Sequence, residues 1–167
     1  MTKSVDNLKA AFAGESQANR KYLAFAQKAE EEGFPQIAKL FRAAAAAETV
    51  HALNHFRAMD GVKSVAENLQ AAIAGENYEV VSMYPPMLAE AEAEGDKRAA
   101  RSFRWALEVE KVHEAFYRKA AEFLGKGKDA PATEYYVCPV CGYTHEGRLN
   151  GKCPVCGTPA EKFEKVA

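Results

Sequence analysis

Two short patterns in this 167-residue chain have the residue types and spacing to do metal chemistry. Glu48-Thr49-Val50-His51 and Glu110-Lys111-Val112-His113 each set a carboxylate and an imidazole three positions apart. On a helix that is about one turn, so both side chains reach the same point on one face. Glu15 and Glu76 close two further matched pieces, Ala11-Phe12-Ala13-Gly14-Glu15 and Ala72-Ile73-Ala74-Gly75-Glu76. The two kinds of match lie at offsets of 61 and 62 residues, so a helix pair is used twice. A different chemistry sits near the end of the chain. Cys138, Cys141, Cys153 and Cys156 form two Cys-Pro-Val-Cys-Gly copies separated by an eleven-residue spacer. Two such knuckles bring four thiolates into a tetrahedron that suits zinc or a single iron. Clustering of all four in one short segment argues for a metal and against disulfides in a reducing compartment.

These side chains need long helices to hold them, and the punctuation of the sequence supplies four. Gly33, Gly61, Gly95 and Gly125 mark element ends, and the segments between them are rich in good helix formers. Pro35 suits a first helical turn, Ser64-Val65-Ala66-Glu67 reads as a capping box, and Asp96 as an N-cap. Pro85-Pro86 must kink or interrupt the third helix. Apolar stripes can be followed at steps of three and four. They run Leu8, Phe12, Glu15, Asn19, Tyr22, Ala26, Ala29; then Ile37, Leu40, Ala44, Glu48, His51, His55, Ala58; then Leu69, Ala72, Glu76, Glu79, Met83; and Phe103, Leu107, Glu110, His113, Tyr117.

Five glutamates and three histidines therefore interrupt faces that should be core. Unpaired carboxylates there would each cost several kcal/mol. Two cations resolve the problem: five negative charges against two divalent ions leave −1, and against two trivalent ions +1. Two Glu-x-x-His elements plus one Glu from each remaining helix is the carboxylate di-iron or di-manganese pattern of ferritin-like bundles. Mixed oxygen and imidazole donors favour redox-active iron over magnesium or calcium. A single Glu-x-x-His pair is most often a solvated ion pair, but two copies at matched offsets on apolar stripes are not. Gly14 and Gly75 are expected to clear space beside the metal-bearing turns, since glycine inside a helix is unfavourable by about 1 kcal/mol. Glu79 breaks the repeat, because its counterpart in the first half is Ala18. It is a seventh potential ligand, on one side only.

Composition narrows the remaining classes. Hydrophobic residues make up 48% and charged residues 27%, which fits a globular protein, and a net charge of −1 suggests no nucleic-acid partner. No apolar run is long enough to cross a membrane. Met1-Thr2-Lys3-Ser4-Val5-Asp6 has no apolar signal core, so a cytoplasmic location is expected. The expected organisation is a four-helix bundle over residues 1–125, a linker over 126–134, and a small metal-stapled domain over 135–167. Tyr135, Tyr136, Tyr143 and Phe163 give that domain an aromatic shell. Iron is favoured over zinc for the four cysteines mainly because the neighbouring bundle is redox-active. His55, Trp105 and His145 read as packing or surface residues.

Along essentially its whole length the chain resembles the rubrerythrin family, in which a ferritin-like di-iron bundle precedes a rubredoxin-like domain. The resemblance is carried by Gly14-Glu15-Ser16-Gln17-Ala18, Glu48-x-x-His51, Glu76-Asn77-Tyr78-Glu79 followed by Ser82-Met83-Tyr84-Pro85, Glu110-x-x-His113, and the two cysteine knuckles. Plain ferritins lack both the cysteine tail and the extra glutamate. The resemblance implies a hydrogen peroxide reductase that protects against oxidative stress. It implies that Glu48 and Glu110 bridge the irons, that Glu15 is terminal to the first, and that Glu76 and His113 hold the second. His51 and Glu79 would exchange at the first iron with its redox state. Tyr22 and Tyr84 match outer-sphere tyrosines of the family. It also implies electrons from an external NAD(P)H-dependent reductase or a rubredoxin, passed on by the four-cysteine iron, and a homodimer. No Gly-x-Gly-x-x-Gly fingerprint is present, so no nicotinamide site is expected in the chain itself. Two readings compete with peroxidase: a ferroxidase or iron-storing protein, and a binding module with a zinc-filled tail.

Overall fold

The structure is a computed structural model and describes residues 3–166. Met1 and Thr2, on which part of the signal-segment reading rests, lie outside the described residues. The chain divides into two compact units, residues 1–63 and 64–167.

The first unit is a helical hairpin of α1 (Lys3–Glu31) and α2 (Pro35–Ala58). Gly33, at a φ of 81°, makes the reversal, the amide of Phe34 returns to the Ala29 carbonyl at 2.8 Å, and Pro35 opens α2 in its first turn. Phe12 stacks on Phe56, Asn19 reaches Ala45 and Thr49, and Phe25 meets Phe41 edge-on, which fixes an antiparallel register. The seam of the hairpin is made of alanines: Ala26 and Ala29 on α1 against Ala38, Ala45 and Ala52 on α2. Spaced seven apart, the α2 alanines form one row with nothing beyond Cβ, which lets the backbones approach closely. This corrects the stripe read for α2. Ile37 and Leu40 are 48% and 68% exposed, because the seam selects the smallest side chains and not the most apolar.

The second unit begins with α3 (Val65–Tyr78), whose N-terminus carries the expected reciprocal box: Ser64 Oγ accepts from the Glu67 amide, and the Glu67 carboxylate accepts from the Ser64 amide. One π-helical turn, Glu79–Met83, follows, and α4 (Tyr84–Glu94) resumes with Pro85-Pro86 in its first turn. The prolines thus fall where the hydrogen-bonding register changes from the π turn to α4. Gly95 ends α4 in the left-handed region, and Asp96 accepts from the amides of Arg98 and Ala99 to start α5 (Lys97–Gly125). Helices α3 and α4 both pack on α5.

After α5, β1 (Tyr135–Val137), β2 (Thr144–Glu146) and β3 (Glu164–Lys165) form an antiparallel sheet in the order β2-β1-β3. Tyr136 pairs with His145 on one side and Lys165 on the other. This small sheet lies along the second half of α5. Phe116 meets Tyr135 edge-on, Lys119 donates to Glu146 at 2.8 Å, and His113 reaches Thr144 at 2.9 Å. Among the described residues no helix is long and apolar enough to cross a membrane.

Candidate metal centres

The four cysteines are free thiols and converge as expected. In each knuckle a glycine takes a positive φ, Gly142 at 82° and Gly157 at 78°, and its amide returns to the carbonyl of the first cysteine. The sulfurs of Cys138 and Cys156 lie 3.6 Å apart, as do those of Cys141 and Cys153. Thiolate–metal bonds of about 2.3 Å set a tetrahedral edge of about 3.8 Å, so this spacing fits a four-coordinate ion. Burial pushes the Cys141 and Cys153 thiols up. Burial would push Cys156 up as well, but hydrogen bonds from the Thr158 hydroxyl and amide and from the neighbouring thiols outweigh it and bring the group down to about 7. The Cys156 sulfur is thus ready to ionise, while the buried Cys141 and Cys153 need a cation to do so.

The Glu and His residues form one cluster in each unit. In the first hairpin, Glu15, Glu48 and His51 place donor atoms within 4.8 Å of one another, with His51 Nδ1 at 2.8 Å from Glu48 Oε2. In the second unit Glu76, Glu110 and His113 do the same, with His113 Nδ1 at 2.7 Å from Glu110 Oε2 and 4.0 Å from Glu76 Oε1. The repeat seen in the sequence is thus a repeat in geometry.

Electrostatics in the second cluster show what it lacks. Burial first, and then the Glu110 carboxylate beside it, raise Glu76 to about 7. Glu79, in the π turn, is raised by burial and by Glu110, against a smaller lowering by His113. Tyr84 is raised by burial and by the charges of Glu79, Glu110 and Glu76. Three groups that resist negative charge around one carboxylate describe a site short of positive charge. A divalent ion supplies it, and the carboxylate and imidazole donors suit iron.

Tyr22 packs with Phe25 and Phe41, and Tyr84 lies near Phe103. The steric role expected of Gly14 and Gly75 is not found: a β-carbon at either would meet nothing within 4 Å. Glu114 also neighbours Glu76, but it is held by Arg118 and Asn77 and is paired without a metal. Sequence reasoning missed Asn19 as a structural residue. It is buried, its amide donates to the Ala45 carbonyl and to Thr49, and among the described residues its Oδ1 has no partner. Its place in the α1 stripe, one turn after Glu15, was the available signal.

Comparisons with known proteins agree with this picture. A family model described as rubrerythrin matches residues 6–121, and one described as the rubrerythrin rubredoxin-like domain matches residues 136–164. The chain is 37% identical to Rubrerythrin-2 of Clostridium acetobutylicum, covering 96% of this chain and 95% of that protein. It is 38% identical to the nigerythrin of Nitratidesulfovibrio vulgaris, covering 96% and 85%. Among solved structures it is similar to a nigerythrin in a mixed-valence state (TM-score 0.57, 36% identity, 99% of this chain and 88% of that one). It is likewise similar to the fully reduced, all-ferrous state of nigerythrin (TM-score 0.58, 35% identity, the same coverage).

Proposed function

The chain belongs to the rubrerythrin family, with its di-iron site and its rubredoxin-like four-cysteine site, and from that premise we propose that it reduces hydrogen peroxide to water. The reading is carried by one observation: a carboxylate–histidine cluster and a four-thiolate site lie on the same compact unit, joined where β2 meets α5. A protein that only stored iron has no use for the second site. In this reading residues 1–125 are the di-iron domain, 126–134 the linker and 135–167 the electron-transfer domain.

Glu15, Glu48, His51, Glu76, Glu79, Glu110 and His113 would hold the two irons: Glu48 and Glu110 would serve both, Glu15 one of them, and Glu76 with His113 the other. His51 and Glu79 would be alternative ligands of the first iron. When bound, the two irons supply Lewis acidity and two electrons in one-electron units. Peroxide takes those two electrons and two protons, its O–O bond breaks, and two waters leave. Glu79 and Tyr84 respond to the same Glu110 charge, which supports giving them the proton transfers. Tyr22, among aromatic rings, has the outer-sphere role on the other side. The four cysteines would hold one iron, and that site would accept electrons singly from an external NAD(P)H-dependent reductase or rubredoxin.

The protein is also proposed to act in the cytoplasm as a homodimer. Phe25, Ile37, Leu40 and Leu53 of the first hairpin are all more than two-fifths exposed, apolar area that a second copy would cover.

Rapid-mixing oxidation of the fully reduced protein tests the activity. Peroxide should react at least about tenfold faster than dioxygen, and Glu79→Ala should keep both irons yet slow the peroxide reaction by about ten- to a hundredfold. Slow peroxide turnover with rapid uptake of many irons would identify an iron-handling protein instead. Unchanged kinetics in Glu79→Ala would remove the alternation of His51 and Glu79.

A further inference from the structure

The two histidines that the internal repeat makes equivalent are not held alike. Both offer Nδ1 to the glutamate three residues before them. The His51 side chain is 54% exposed, whereas that of His113 is 29% exposed and its Nε2 lies 2.9 Å from Thr144 Oγ1. Thr144 opens β2, three residues after Cys141, so a residue of the cysteine-bearing segment touches a histidine of the helical cluster.

The direction of this contact follows from proton counting. The Thr144 hydroxyl lies 3.3 Å from the Gly142 carbonyl, which can only accept, so the single hydroxyl proton is directed there. The oxygen is left with a lone pair facing His113, and Nε2 must donate to it. Nδ1 faces the Glu110 carboxylate at 2.7 Å, where either a proton or a metal ion can sit between the two.

We propose that Thr144 is a positioning residue for His113: by accepting from Nε2–H it holds the ring with Nδ1 aimed at the Glu110 and Glu76 carboxylates. The inference rests on the di-iron reading above and deepens it. His113 is pinned by the cysteine-bearing segment, whereas the His51 ring, among the described residues, is bonded only to Glu48. The contact also places the position of a cluster ligand under the control of the cysteine loop. Outer partners of this kind are worth about ten- to a hundredfold in metal affinity. The Phe116–Tyr135 and Lys119–Glu146 contacts hold the same two elements together, so losing one hydroxyl leaves the domain seated.

The test uses the full-length, metal-free protein with Thr144→Val and Thr144→Ser, titrated anaerobically with cobalt(II) alone. Valine suits a strand position, and the tetrathiolate absorbance of the cysteine site reports whether the domain remains folded. Thr144→Val should weaken cobalt binding at the Glu/His sites by about ten- to a hundredfold and leave the cysteine site unchanged. Thr144→Ser should restore affinity to within about threefold of wild type. Long-range proton–nitrogen spectra of the metal-free protein should show an exchange-protected Nε2 proton on His113 in the wild type and Thr144→Ser, and its loss in Thr144→Val. Wild-type affinity and an unchanged Nε2 proton in Thr144→Val would overturn the proposal. If the wild type binds cobalt only at the cysteines, the di-iron reading fails, and the Nε2-proton comparison still decides the role of Thr144.

Discussion

Replacing Cys138 by Ser should reduce steady-state peroxide turnover with the external reductant to below about 1% of wild type. A single oxidation of the chemically reduced protein should stay within about tenfold of normal. Cys138 is buried with 1% of its surface exposed, and its sulfur is one vertex of the thiolate set, 3.6 Å from Cys156. A serine hydroxyl stays protonated where a thiol ionises onto a metal, so the four-coordinate site is lost. The Glu and His clusters contain no cysteine and retain their own metal. The tenfold allowance reflects Thr144, whose position depends on the same loop. Rapid mixing alongside steady-state assay separates the two effects. Undiminished turnover would show that electrons reach the bundle by another route.

Glu110→Ala should be as severe and should fail at a different step. Glu110 lies 2.7 Å from His113, and its charge helps to raise Glu76, Glu79 and Tyr84. One carboxylate felt by so many neighbours is at the centre of its cluster. Without it, Glu76 falls back towards the ordinary carboxylate range, and the site loses the acceptor that made a cation necessary. Iron at the Glu/His sites should bind at least about a hundredfold more weakly, and peroxide reduction should fall below about 0.1% of wild type. The cysteine site should keep its full visible spectrum. Metal analysis after desalting, a peroxide assay and the visible spectrum read the three in turn, and full iron content in the variant would remove Glu110 from the ligand set.

The features legible in the sequence were those whose physics is local. Ser64 and Asp96 cap helices because their side chains reach amides two or three residues on, and Pro35 fits a first turn because its missing N–H is not needed there. The cysteine knuckles and both Glu-x-x-His pairs were legible for the same reason. What the sequence hid depends on contacts between distant residues or on fine backbone geometry. Pro85-Pro86 announced a break in the third helix. The π turn just before it, where the Tyr84 amide bonds to the Glu79 carbonyl, leaves no mark in composition. That turn carries Glu79, the proposed ligand without a counterpart in the repeat. The α2 stripe was misread because counting apolar residues favours Ile37 and Leu40, whereas a close helix pair is sealed by Ala38, Ala45 and Ala52. Thr144 was invisible because its partner is 31 residues away and on another kind of element.

The central claim is that the Glu and His clusters exist to hold metal. Anaerobic ferrous titration of the metal-free chain, with bound iron and released protons counted together, tests it most directly. The account predicts three irons per chain, one giving a tetrathiolate spectrum and two bound without thiolate absorbance. Proton release is expected at the two as Glu76 gives up the proton it holds near neutral pH. One iron per chain, with the Glu/His protons retained, would contradict it.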